Sequence, residues 1–147
     1  MKAQDGYMLP SQTGASHPPV RHDPPGGAQT GRLLLVEHRS LFGEGVALLL
    51  EWRTGLGCVR AGSLAEARSI LEGAPREPAC VVVDLDLPEG EGQEVLEGLE
   101  GLPVVALMGG RDLKRQAEAM ELGADEVLDT RGPVQKIASA VERLIGT

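Results

Sequence analysis

"VVVDLDLPEG", residues 81–90, drives three β-branched apolar residues into an aspartate, then adds a second acid, a proline and a glycine. Three consecutive valines suit a strand covered on both faces, as in a parallel sheet, better than one with a wet side. Pro88 and Gly90 break the run and turn the chain away, so Asp84 is expected at an open strand end. Working outward, the same alternation repeats. "RLLLVE" (32–37), "GCVRAG" (57–62), "LPVVALM" (102–108) and "DEVLDT" (125–130) are the other strand-like stretches. Helical spacing fills the gaps. "SLFGEGVALLLEW" has Leu41, Val46 and Leu49 among its apolar positions, with Ser40 as the expected N-cap. "SLAEARSILEG" carries Ser63 and Glu66 in capping-box spacing. "GQEVLEGLEG" is a helix weakened by Gly98, and "DLKRQAEAMELG" is closed by Gly123. "PVQKIASAVERLIG" has Pro133 near its first turn.

Five βα units with right-handed crossovers predict an α/β fold: a doubly wound, five-stranded parallel sheet with helices on both faces. Its functional crevice is expected at the carboxyl ends of the strands.

Composition sets the bounds. The 147 residues suffice for one domain, residues 32–147, behind a tail. Residues 1–31 hold five of the ten prolines, show no structural period, and are expected to be disordered. His17 and His22, without a supporting ligand cluster, are weak grounds for a metal there. The tail's charges cancel (Lys2 and Arg21 against Asp5 and Asp23), so the net charge of −8 belongs to residues 32–147. That charge argues against direct binding of nucleic acid or anionic membranes. With no apolar run long enough to span a bilayer and no leader-like segment, a cytoplasmic location is expected. Cys58 and Cys80 read as reduced thiols in strand-like surroundings.

The strand ends are Glu37 and His38, Asp84 and Asp86, Met108 and Gly109, and Thr130. With "VEHRSLFGEGVALLLE", "VVVDLDLPEGEGQEVL" and "ELGADEVL" in this order and spacing, residues 32–147 resemble the receiver domain of bacterial two-component response regulators. The resemblance implies a flavodoxin-like (βα)5 sheet with strand order 2-1-3-4-5. It implies that Asp84 is the phospho-acceptor position, where an aspartate becomes an acyl phosphate. It also implies a Mg²⁺ site from two acids, a Ser or Thr for the phosphoryl group, and a lysine.

The carried-over set is depleted. Glu37 matches the first acid, but His38 stands at the second, Met108 at the Ser/Thr position and Thr130 at the lysine position. Imidazole serves Mg²⁺ poorly, so Glu37 and Asp84 remain as doubtful metal ligands and no strongly bound cofactor is expected. Met108 offers no hydroxyl and Thr130 no cation. One lost charge-stabilising contact in such chemistry is worth on the order of 3 kcal/mol, roughly a hundredfold in rate. Asp86, Glu89 and Glu91 form an acidic loop for which a solvated role is the simpler reading than metal rescue. His38 has three readings: a phosphoryl acceptor, a ligand in an N/O transition-metal site with Glu37 and Asp84, or a neutral replacement that relieves repulsion. The last is preferred.

The expected function is therefore an atypical, stand-alone receiver in phosphorelay signalling. It would be no enzyme, would have impaired phosphorylation, and would act through a protein partner (a histidine kinase or downstream regulator) or self-association. No output domain is expected after the fifth helix. Lys114, Arg115 and Lys136 are expected as exposed basic points on the interaction surface. The alternatives are a working phospho-acceptor at Asp84 and a small-ligand sensor with an anion site at "MGGRD" (108–112). A haloacid-dehalogenase-type phosphatase, using "DLDLP" as nucleophile and acid, fits less well because Met108 fails its Ser/Thr requirement.

Overall fold

The computed structural model describes residues 31–73, 78–88 and 92–146. Apart from Gly31, the expected tail lies outside these residues, as do Glu89, Gly90 and Glu91 of the acidic loop. The elements run β1 Arg32–Val36, α1 Ser40–Thr54, β2 Cys58–Ala61, α2 Leu64–Gly73, β3 Pro78–Asp84, α3 Gly92–Glu97, β4 Val104–Met108, α4 Leu113–Glu121, β5 Glu126–Asp129 and α5 Gln135–Ile145. All strand pairings are parallel and the order is β2-β1-β3-β4-β5, as expected.

The valine run lies at the centre of this sheet. Val81 and Val83 face one side with Leu34, Val36, Ala106 and Met108, under α2, α3 and α4. Cys80 and Val82 face the other with Leu33, Leu35, Val105 and Leu107, under α1 and α5. Both faces of β1, β3 and β4 are thus dry, which is why these strands read as unbroken apolar runs. Each fully buried Val or Leu contributes about 1.5–3 kcal/mol. Burial pushes the Cys58 and Cys80 thiols up to about 12, so both stay protonated at neutral pH.

Several local expectations need correcting. Ser40 is the first residue of α1 and not its cap. Arg39 holds the cap position in extended backbone with no side-chain capping bond. Glu66 reaches back to the Gly62 N–H, one residue before Ser63, while the Ser63 hydroxyl accepts from the Glu66 N–H. Gly98 does not weaken α3 from within, because the helix ends at Glu97. Leu41 is 84% exposed, so α1 packs through Val46, Ala47 and Leu50 instead.

Gly92 opens α3 directly against the backbone of Leu85, the residue after Asp84. A Cβ there would overlap the Leu85 main chain, with its carbonyl carbon and oxygen both at 2.7 Å. Gly92→Ala is therefore expected to cost about 1–3 kcal/mol in urea unfolding. Neutral behaviour would mean that α3 can back away freely.

Candidate functional site

Parallel register brings the strand ends together. Val36 pairs with Val83, Asp84 with Leu107, and Met108 with Asp129. Glu37 and Asp84 sit at the end of this row, each only 1% exposed. A loop residue and a strand's last residue are thereby held as two buried carboxylates.

Each is held differently. Glu37 is gripped by Arg39: Oε2 accepts from the Arg39 backbone N–H and Nε, and Oε1 from Nη2, all at 3.0 Å. The guanidinium also lies 4.3 Å from the centroid of the Phe42 ring. Burial alone would raise the Glu37 carboxyl, but the Arg39 hydrogen bonds and charge outweigh it and hold the group below its ordinary value. Asp84 has no such cation. Its Oδ1 accepts from the Asp86 N–H at 2.9 Å, and its buried Oδ2 has no hydrogen-bond partner. Burial, reinforced by the Glu37 charge, pushes its carboxyl up to about 6.

His38 closes the group from the solvent side, its side chain 32% exposed. Its Nδ1 lies 3.5 Å from Asp84 Oδ2 and 3.6 Å from Glu37 Oε2. Among the described residues, Glu37, His38 and Asp84 can offer ligand atoms all within 4.8 Å of one another.

The other expected site residues lie elsewhere or are already engaged. Met108 is 2% exposed and packs in the core with Ala106 and Ala119. Thr130 follows β5, half-buried, its N–H bonded to the Met108 carbonyl at 3.0 Å. Asp86 is not a solvated loop acid. It accepts from the Gly109 N–H at 2.7 Å and pairs with Arg115 at 2.6 Å. Despite partial desolvation, those contacts hold its carboxyl low.

Arg115 is correspondingly no exposed basic point, since it also donates to the Leu85 carbonyl at 2.8 Å. Lys114 and Lys136 are exposed as expected. The anion site at 108–112 is overturned as well. Gly109 gives its N–H to Asp86, and Gly110 gives its own to Asp129 at 3.1 Å. Asp129, bonded by the Arg131 backbone and side chain and by Gly110, is held at about 2.

Two features escaped the sequence reading. Arg39 is one, signalled only by an acid and a base two residues apart. The other is an outward apolar face on α1, where Leu41, Leu48 and Trp52 are 84%, 56% and 80% exposed. Their i, i+7, i+11 spacing was the available signal.

Comparison with known proteins agrees with this layout. No family model matches the chain. The photosynthetic apparatus regulatory protein RegA of Cereibacter sphaeroides is 33% identical over 113 residues, 74% of this chain and 60% of that protein. The KDP operon transcriptional regulatory protein KdpE of Escherichia coli is 34% identical over 64 residues, 42% of this chain and 28% of that protein. A solved response-regulator receiver domain from Clostridium thermocellum superposes with a TM-score of 0.70 at 24% identity, covering 78% of this chain and 94% of that one.

The described residues have the fold of response-regulator receiver domains. The chain spans only part of each curated relative, 60% of RegA and 28% of KdpE. A further structural neighbour, a Burkholderia pseudomallei response regulator, was solved with a phosphorylated aspartic acid, a calcium ion and citrate. It has a TM-score of 0.68 at 23% identity over 78% of this chain and 68% of that one. Among the described residues, no helix is long and apolar enough to cross a membrane.

Proposed function

We propose that this receiver domain serves two-component-type signalling through protein–protein binding, with conventional phosphorylation of Asp84 impaired. The observation that carries this reading is the Arg39 grip on Glu37. It occupies three of the roughly four lone-pair sites on the first acid and offsets its charge, so one of the two carboxylates a Mg²⁺ ion needs is a weakened donor. His38 replaces the second acid with an imidazole. This donor set does not fit Mg²⁺.

The remaining parts agree. Met108 lies in the core with no hydroxyl to offer, and Thr130 has no cation. The Asp86 carboxyl, held low by Gly109 and Arg115, has no proton to lend a leaving group. That supports a non-enzymatic role over a phosphatase using Asp84 and Asp86. For a partner, Lys114 and Lys136 on α4 and α5 offer charge. Leu113 on α4 is 76% exposed, and the α1 face is apolar. Isolated exposed leucines are ordinary, but three large apolar side chains on one helix face suit a binding surface.

One observation favours the alternative of a working acceptor: Asp84 Oδ2 is unpartnered and so has a free lone pair. Intact mass after incubation with acetyl phosphate and Mg²⁺ separates the two. No adduct is expected; an adduct lost in Asp84→Asn would establish the alternative.

A further inference from the structure

The buried Asp84 Oδ2 is the one buried side-chain oxygen or nitrogen among the described residues with no hydrogen-bond partner. An isolated buried carboxylate oxygen is costly and calls for a proton or a cation. One candidate for sharing a cation is His38 Nδ1 at 3.5 Å, with Glu37 Oε2 3.6 Å from that nitrogen.

These separations are informative. Two donors bound tetrahedrally at about 2.0–2.1 Å from one ion lie roughly 3.3 Å apart. The His38–Asp84 and His38–Glu37 distances are each within a few tenths of an ångström of that edge. The donor chemistry points the same way. Imidazole with carboxylate is the set for zinc-like divalent ions, whereas magnesium demands six oxygens in octahedral array. A carboxylate has about four lone-pair sites, and Arg39 occupies three on Glu37. Glu37 is thus the weakest of the three donors, and His38 with Asp84 carries the site. The two carboxylates and the Arg39 guanidinium leave one net negative charge, which favours a cation without over-accumulating acid. His38 is 32% exposed, so an ion can enter from solvent and keep a water as its fourth ligand.

We propose that Glu37, His38 and Asp84 form a binding site for an imidazole-seeking divalent transition metal of the Zn²⁺ class, selective against Mg²⁺. The inference rests on the reading of this pocket as unfit for Mg²⁺-dependent phosphorylation, and extends it to what the pocket takes instead. His38 binds through Nδ1, leaving the Nε2 proton towards solvent.

The test is calorimetric titration of the full chain with Zn²⁺ and, separately, with Mg²⁺, comparing wild type with His38→Ala, Asp84→Asn and His38→Asp. Wild type is expected to bind one Zn²⁺ and to bind Mg²⁺ at least tenfold more weakly. His38→Ala and Asp84→Asn should each lose tenfold or more in Zn²⁺ affinity. His38→Asp should lose Zn²⁺ and gain Mg²⁺. His17, His22, Cys58 and Cys80 remain in every variant, so Zn²⁺ binding that survives His38→Ala belongs to them and overturns the proposal. Absence of Zn²⁺ binding to a folded wild type overturns it too, while leaving the proposed signalling role intact. Mg²⁺ bound as tightly as Zn²⁺, with a phosphate adduct on Asp84, overturns both.

Discussion

Asp84→Asn is expected to stabilise the domain at pH 7.5, in the presence of a chelator, by about 2 kcal/mol, or roughly 5–10 °C in Tm. The cause is the buried carboxylate's missing partner. Burial and the neighbouring Glu37 charge raise the Asp84 carboxyl from 3.8 to about 6. For an acid, a folded-state value above the unfolded one means that ionisation penalises the fold. The penalty is present in full above about pH 6, shrinks as pH falls, and is gone below the unfolded value of 3.8. A rise of that size corresponds to about 3 kcal/mol.

The asparagine amide keeps an oxygen for the Asp86 N–H and adds a donor facing Glu37, so most of the penalty should be recovered. The gain should therefore be large at pH 7.5 and close to zero at pH 4. Chemical denaturation of both proteins across this range checks it. A neutral or destabilising substitution at pH 7.5 would mean that Oδ2 is satisfied in solution.

Arg39→Ala should act in the opposite direction, costing about 2–3 kcal/mol at pH 7.5. Removing one partner of a fully buried pair typically costs about 3–5 kcal/mol. The Arg39 side chain is 43% exposed, so solvent screening reduces that figure. In the wild type, Arg39 holds the Glu37 carboxyl below 4.5. Glu37 therefore contributes stability above that value, and the contribution is lost as pH falls through the lowered folded value. Without Arg39, Glu37 and Asp84 are left as two buried like charges. The variant should then regain stability on mild acidification, as one proton is taken up between them. Adding Glu37→Gln should rescue most of the loss at pH 7.5. Equal stability of wild type and Arg39→Ala would show that the grip seen here is a surface contact of no consequence.

The architecture was legible because burial on both faces leaves a plain mark. Val81–Val83 and Leu33–Leu35 could only be central strands, and the sharp breaks after them placed the carboxylates at the sheet's edge. The positions of Glu37, His38 and Asp84 followed from that alternation and from the resemblance.

What the sequence did not show was how the charges are spent. Arg39 turns back on Glu37 because α1 begins at Ser40, a boundary that hinges on backbone dihedrals at a single residue. Asp86 and Arg115 meet across 29 residues of chain, a pairing no local pattern encodes. "MGGRD" resembled a free amide nest, but two carboxylates, Asp86 from the turn after β3 and Asp129 from β5, arrive in three dimensions to take those N–H groups. The α1 face was hidden for another reason. Leu41 and Trp52 continue an apolar run whose inward members, Val46 and Leu50, gave the helix its obvious explanation.

On the proposed reading, this pocket keeps the acceptor position while lacking the groups that make it react. The most direct measurement is intact mass after acetyl phosphate and Mg²⁺ treatment. It compares wild type, Asp84→Asn, and a fourfold variant carrying His38→Asp, Arg39→Ala, Met108→Thr and Thr130→Lys. The wild type is expected to stay unmodified and the fourfold variant to carry a phosphate adduct. An adduct on the wild type that disappears in Asp84→Asn would contradict it.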